Sequence, residues 1–151
     1  MKPSNCIIVL LIICYFCSCQ QNLHNRRIEV IQESIEAFSQ YDTAKLYKLV
    51  DTSYYFSLYG KEGFLFYVKN LNERFKGCQT KINYNALKAN VGPVNTQEYV
   101  LHFCRTKNNE IVDSSFDVTF RFADFQNVNT IMNFEVDNLY QHKKLVPNLP
   151  L

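Results

Sequence analysis

The sequence predicts an α+β domain: three N-terminal helices packed on one face of a curved antiparallel sheet, giving a cone. Three observations carry this. Apolar residues recur at helical spacings over 28–38, 46–50 and 64–75. Phe116, Val118, Phe120 and Phe122 alternate with Asp117, Thr119 and Arg121, the period of a half-buried strand. Polar turn segments then separate the apolar runs of the second half, at Gly92-Pro93 and at Lys107-Asn108-Asn109-Glu110.

The elements follow in order. Ile28, Ile31, Ile35 and Phe38, with Glu29, Glu33 and Glu36 among them, predict an amphipathic helix starting at Arg26. Asp42 is placed to cap a short helix, Thr43 to Val50, that buries Leu46, Leu49 and Val50. Asp51-Thr52-Ser53 breaks it. Tyr54-Tyr55-Phe56-Ser57-Leu58-Tyr59 reads as a strand ended by Gly60. A third helix carries Phe64, Tyr67 or Val68, Leu71 and Phe75, with Gly77 as its C′ terminator. Four strands are expected next: Ile82 to Val91, Glu98 to Thr106, Phe116 to Phe122 and Thr130 to Val136. The last should turn Met132, Phe134 and Val136 inward and Asn133 and Glu135 outward. Pro147 and Pro150 leave the end of the chain without a regular element.

The first nineteen residues are of another kind. Lys2 precedes an apolar run from Cys6 to Cys17, and polarity returns abruptly at Gln20-Gln21-Asn22. A bilayer core needs ~20 apolar residues in a helix, so this run is too short to span one and fits the h-region of a signal peptide. Phe16-Cys17-Ser18-Cys19 resembles a bacterial lipobox, which implies that Cys19 is acylated and becomes the new N-terminus. One acyl chain binds a membrane marginally and several hold it firmly, each buried methylene contributing ~0.8 kcal/mol. An ordinary cleaved signal peptide and an uncleaved anchor are the alternatives. Phe16, Cys17 and Ser18 fit the small-x-small cleavage preference poorly. The expected organisation is a leader over 1–18, a tethered polar linker over 19–25, a domain over 26–138 and a tail over 139–151. The expected location is the bacterial cell envelope, with the membrane bound through Cys19. No acidic run follows that cysteine, which favours the periplasmic side over the cell surface.

Composition narrows the function. Beyond the leader, fifteen basic residues face fourteen acidic ones, with only Arg26-Arg27 and Lys143-Lys144 adjacent. Nucleic acid wants a concentrated basic face, so no nucleic-acid partner is expected. Cys78 and Cys104 do not fit a zinc spacing with the scattered His24, His102 and His142, and neither metal nor cofactor is expected. If 82–91 and 98–106 form a regular hairpin, Cys104 lies opposite about residue 85. Cys78 is then ~23 Å away along an extended strand, beyond disulfide reach unless the chain bends sharply after Gly77.

The order of elements from Ile28 to Val136 resembles the nuclear-transport-factor-2-like family, also called SnoaL-like or cystatin-like. The residues that carry the likeness are Ile35-Glu-Ala-Phe-Ser-Gln-Tyr-Asp-Thr-Ala-Lys-Leu-Tyr-Lys-Leu-Val-Asp51, Tyr59-Gly-Lys-Glu62, Asp117-Val-Thr-Phe-Arg-Phe122 and Thr130-Ile-Met-Asn-Phe-Glu-Val136. It implies a cavity between the helices and the sheet, used by some members for catalysis and by others for binding or dimerisation. Fold alone licenses no reaction. No acidic residue falls on an inward position as a base, since Asp117 and Glu135 read as solvated.

His102 is the single catalytic candidate, with its inward or outward sense undecided: if Tyr99, Leu101 and Phe103 face in, it faces out. Ten tyrosines and twelve phenylalanines either line a pocket or fill a core. The candidate pocket residues are Tyr55, Tyr59, Tyr67, Tyr84, His102, Phe120 and Phe134. The main expectation is a non-catalytic ligand-binding or protein-interaction domain, taking a small apolar ligand or a protein partner. The alternative is a small isomerase- or dehydratase-type enzyme using His102 and a tyrosine. A homodimer through the outer sheet face, pairing Arg105, Asp117, Thr119 and Arg121, is a third option.

Overall fold

The structure, a computed structural model, describes residues 3–78, 81–93, 96–105, 108, 110–112, 114–123 and 130–137; the side chains of 3–20, 54, 55, 58 and 59 fall outside the description. Three helices precede a four-stranded antiparallel sheet, so the fold class is α+β as the sequence predicts. The tail over 139–151 lies outside the described residues.

Helix α1, Pro3–Gln40, runs unbroken from the apolar leader into the domain. The expected linker over 19–25 is therefore helical. Nothing between Gln20 and Arg26 is a glycine or proline, and a helix already nucleated propagates cheaply through such residues. Its buried face is Arg27, Val30, Ile31, Ser34, Ala37 and Phe38, while Ile28 and Ile35 pack at its flanks. The expected stripe was thus rotated by about one position.

The chain then turns in a Schellman arrangement. Asp42 N donates to Ala37 O at 2.8 Å and Tyr41 N to Phe38 O at 3.2 Å, with Tyr41 at φ 56°. Asn72 completes the helix end, its Nδ2 donating to the Phe38 and Ser39 carbonyls at 2.8 Å each. Asp42 caps α2, Thr43–Leu49, by accepting from Lys45 N at 3.0 Å; Leu46, Leu49 and Val50 are buried, as expected.

Helix α3, Thr52–Lys76, corrects the strand expected over 54–59. Asp51 accepts from Ser53 N at 3.1 Å and so starts a helix where a strand was read. The partner such a strand would need is also engaged, because Ile131 bridges to Val50 in parallel and exchanges hydrogen bonds with Leu49 and Asp51. Strand propensity of aromatics is a statement about surroundings, and here the surroundings are helical. Gly60, at φ 69° and ψ 172°, kinks α3 in a region open essentially to glycine alone. Beyond it Phe64, Val68, Leu71 and Phe75 are buried, the face the sequence predicts. Gly77 terminates α3, as expected, in a right-handed conformation at φ −84° and ψ −1°.

The sheet runs in order β1 Asn90–Val91, β2 Thr96–Phe103, β3 Phe116–Ala123 and β4 Asn133–Asp137. Only two residues of the expected strand over 82–91 survive. Upstream of them Tyr84–Ala86 forms a 3-10 turn, and Ile82, Tyr84 and Leu87 pack toward the core. That departure also overturns the cysteine geometry. Cys78 and Cys104 form a disulfide with their α-carbons 5.3 Å apart, because the segment between Cys78 and β1 folds back instead of extending beside β2.

Tyr99, Leu101 and Phe103 of β2 and Phe116, Val118, Phe120 and Phe122 of β3 face the helices. In β4 Phe134 is fully buried and Val136 half-buried; Asn133, expected outward, is also buried, and Met132 lies half-buried before the strand begins. Ile131 is buried in the place expected for Met132, since the chain reaches across to Val50 and bends before β4 begins. Rings fill the layer between helices and sheet. Phe134 lies 4.8 Å from Phe38, Phe75 lies 4.9 Å from Phe103, and Phe103 stacks on Phe116 at 5.0 Å.

Candidate functional site: a charged outer sheet face

With Tyr99, Leu101 and Phe103 turned in, His102 turns out. Its side chain is 47% exposed and sits opposite Asp117 in the β2–β3 register. Nδ1 lies 2.8 Å from Asp117 Oδ1 and 3.1 Å from Arg105 Nη2. A proton on Nδ1 donates to Asp117; a proton on Nε2 leaves Nδ1 to accept from Arg105. Arg105 Nη2 in turn reaches both Asp117 oxygens, at 3.1 and 3.3 Å.

Asp117, expected to be solvated, is 7% exposed. It is buried because Arg105 and His102 lie over it and supply the donors a sequestered carboxylate needs. A second set adjoins it. Arg121 Nε holds Glu98 at 2.5 Å, directly across the ladder, and Arg121 Nη1 holds Glu135 from β4. Those two carboxylates, Glu135 foremost, push the Arg121 guanidinium further up from its ordinary value. Glu135 remains exposed, as expected. Arg105, Asp117 and Arg121, considered for pairing between two copies, pair within the chain.

The remaining site residues do not converge. Phe120 and Phe134 are buried core, their rings 6.4 Å apart. Tyr67 packs on Phe134 at 5.5 Å and borders an open groove of about 520 Å³ with Asn70, Leu71, Glu73, Arg74 and Val136. Burial pushes its hydroxyl up to about 12, against a hydrogen bond with the Val136 backbone. Tyr84 sits on the 3-10 turn, half-buried and likewise raised by burial. The side chains of Tyr55 and Tyr59, and that of Cys19, lie outside the described residues.

Two features escaped the sequence. Arg27 is fully buried, its Nη2 donating to Ala123 O at 2.8 Å, its Nη1 to Gln97, and its guanidinium 5.4 Å above the Phe122 ring. Its position four residues before Ile31, on the same helical face, was the available signal. Tyr99 is the other: its hydroxyl meets His24 Nδ1 at 3.1 Å, so the domain's contacts begin inside the stretch read as linker. Among the described residues no group of three His, Cys, Asp or Glu could hold a metal, and no helix is long and apolar enough to cross a membrane.

No protein-family model, curated protein or solved structure matches this chain.

Proposed function

We infer that the chain is an envelope lipoprotein, tethered through Cys19, whose nuclear-transport-factor-2-like domain acts by binding at its surface and does no chemistry inside. The observation that carries this is the fate of the pocket residues: Phe120 and Phe134 are spent on packing, and His102 points away from them. A cavity enzyme of the isomerase type needs a base and a hydrogen-bond donor converging on apolar space. Here the histidine and its carboxylate partner are on the opposite side of the sheet from Tyr67 and Tyr99, which face the core. The Cys78–Cys104 disulfide supports export, since such bonds persist in oxidising compartments. The apolar run and the lipobox-like Phe16-Cys17-Ser18-Cys19 support the tether.

The test is the mass and location of the chain made in a bacterial host. Loss of residues 1–18, a mass gain matching acyl chains on Cys19, and release from the membrane in Cys19→Ala are expected. A chain that keeps its leader, or that is cut without gaining lipid, contradicts the tether.

A further inference from the structure

β2 is left half-paired along one edge. Gly92 N donates to Thr96 O at 2.9 Å and Asn90 pairs with Glu98, so even-numbered residues of β2 aim their backbone groups at β1. β1 stops at Asn90. Val100 and His102, next in that series, therefore point an amide and a carbonyl each to this side, and neither finds a backbone partner there among the described residues.

The space is a groove of about 400 Å³ between β2 and the returning segment, with Ile82 and Leu87 on its apolar side and Lys81 and Lys88 on its rim. It is held open from both ends. The Cys78–Cys104 disulfide fastens the segment beyond the end of β2, and the Asn90–Glu98 pair fastens it at the other end. Between those fastenings β2 advances six residues, ~20 Å, while the segment has twelve. Part of the excess is taken up by the 3-10 turn at Tyr84–Ala86.

We propose that this edge takes an extended acidic segment of a partner protein, which adds as a strand beside Val100 and His102 with carboxylates on Lys81 and Lys88. Backbone pairing supplies affinity in such additions, and the flanking side chains supply selection. Charge chooses the occupant. Lys81 and Lys88 are exposed and no carboxylate pairs with either among the described residues, whereas Asp117 is already held by Arg105 and His102. Lysines beside an open edge repel a second copy of the same edge. They attract an acidic strand.

This assignment rests on reading the domain as a binding module. The test uses the processed chain in lipid nanodiscs and three synthetic peptides: alternating valine and glutamate, alternating valine and lysine, and the glutamate peptide N-methylated at alternate amides. The glutamate peptide should bind saturably, weaken as salt rises, and slow hydrogen exchange at the Val100 and His102 amides. Lys81→Glu with Lys88→Glu should weaken it about tenfold. Val100→Pro, which removes an edge amide a sheet can spare, should abolish it while leaving the unfolding midpoint within the range of an edge substitution. Equal binding of the lysine peptide, undiminished binding of the N-methylated one, or failure of the glutamate peptide overturns the edge assignment. The module reading is judged separately, by turnover of a substrate that one interior substitution abolishes.

Discussion

Tyr41 occupies the left-handed position of the α1–α2 turn, where glycine is usual. An L-residue there costs ~1–2 kcal/mol, and glycine's larger loss of backbone freedom returns only ~0.5–1 kcal/mol of that. The residue is 41% exposed, so more than half of it is covered and that packing is lost with the side chain. Tyr41→Gly should therefore fail to raise the urea midpoint, the relief of backbone strain being offset by the lost contacts. Tyr67 tests burial instead. Its folded value of about 12 lies above the ordinary 10, so folding favours the neutral hydroxyl. That contribution is complete below pH 10 and is lost as pH rises from 10 toward 12. Stability measured across that window should fall less steeply in Tyr67→Phe. Tyr84 and Tyr99, also raised by burial, keep part of the slope.

At the scale of elements, the sequence is most legible where one signal dominates. Phe116, Val118, Phe120 and Phe122 could bury only as a strand, and Asp42 and the Phe64–Phe75 spacing likewise left one solution. The sequence is ambiguous where two signals compete. Tyr54 to Tyr59 has strand-like side chains after a helix-capping Asp51, and the cap prevailed because Ile131 had taken the pairing at Val50. Ile82 to Val91 is apolar enough for a strand, but Ile82 and Leu87 are used to close the core. Alternation makes the outer face look wet, because it reports side-chain direction and cannot report that Arg105 folds over Asp117.

The disulfide belongs to this scale too. It closes a separation of 26 residues, for which chain entropy gives about 3.5 kcal/mol. Reduction, or Cys78→Ala with Cys104→Ala, should lower stability by that order in denaturant unfolding. It should also free the segment over 81–89, read as faster amide exchange there than in β3.

For the molecule as a whole, the question is what the layer between helices and sheet is for. The resemblance implies a cavity, and the candidate residues there were legible as aromatic without being legible as pocket or core; a ring that lines and a ring that fills have the same letter. Packing separates them. Phe134 touches rings from α1, α3 and β3, which makes it a keystone of the interior. The polar groups meanwhile gather on the far side of the sheet, where His102, Arg105, Asp117, Glu98, Arg121 and Glu135 pair with one another. The proposed surface-binding role rests on this division between a ring-filled interior and a charged outer sheet face.

Urea unfolding of Phe120→Ala and Phe134→Ala tests that claim most directly. A packed phenylalanine removed from a core costs about 3–5 kcal/mol, and that loss is predicted for each. A loss under about 1 kcal/mol, together with saturable uptake of a fatty acid or fused-ring hydrocarbon by the unsubstituted chain, would mean that these rings line a working cavity.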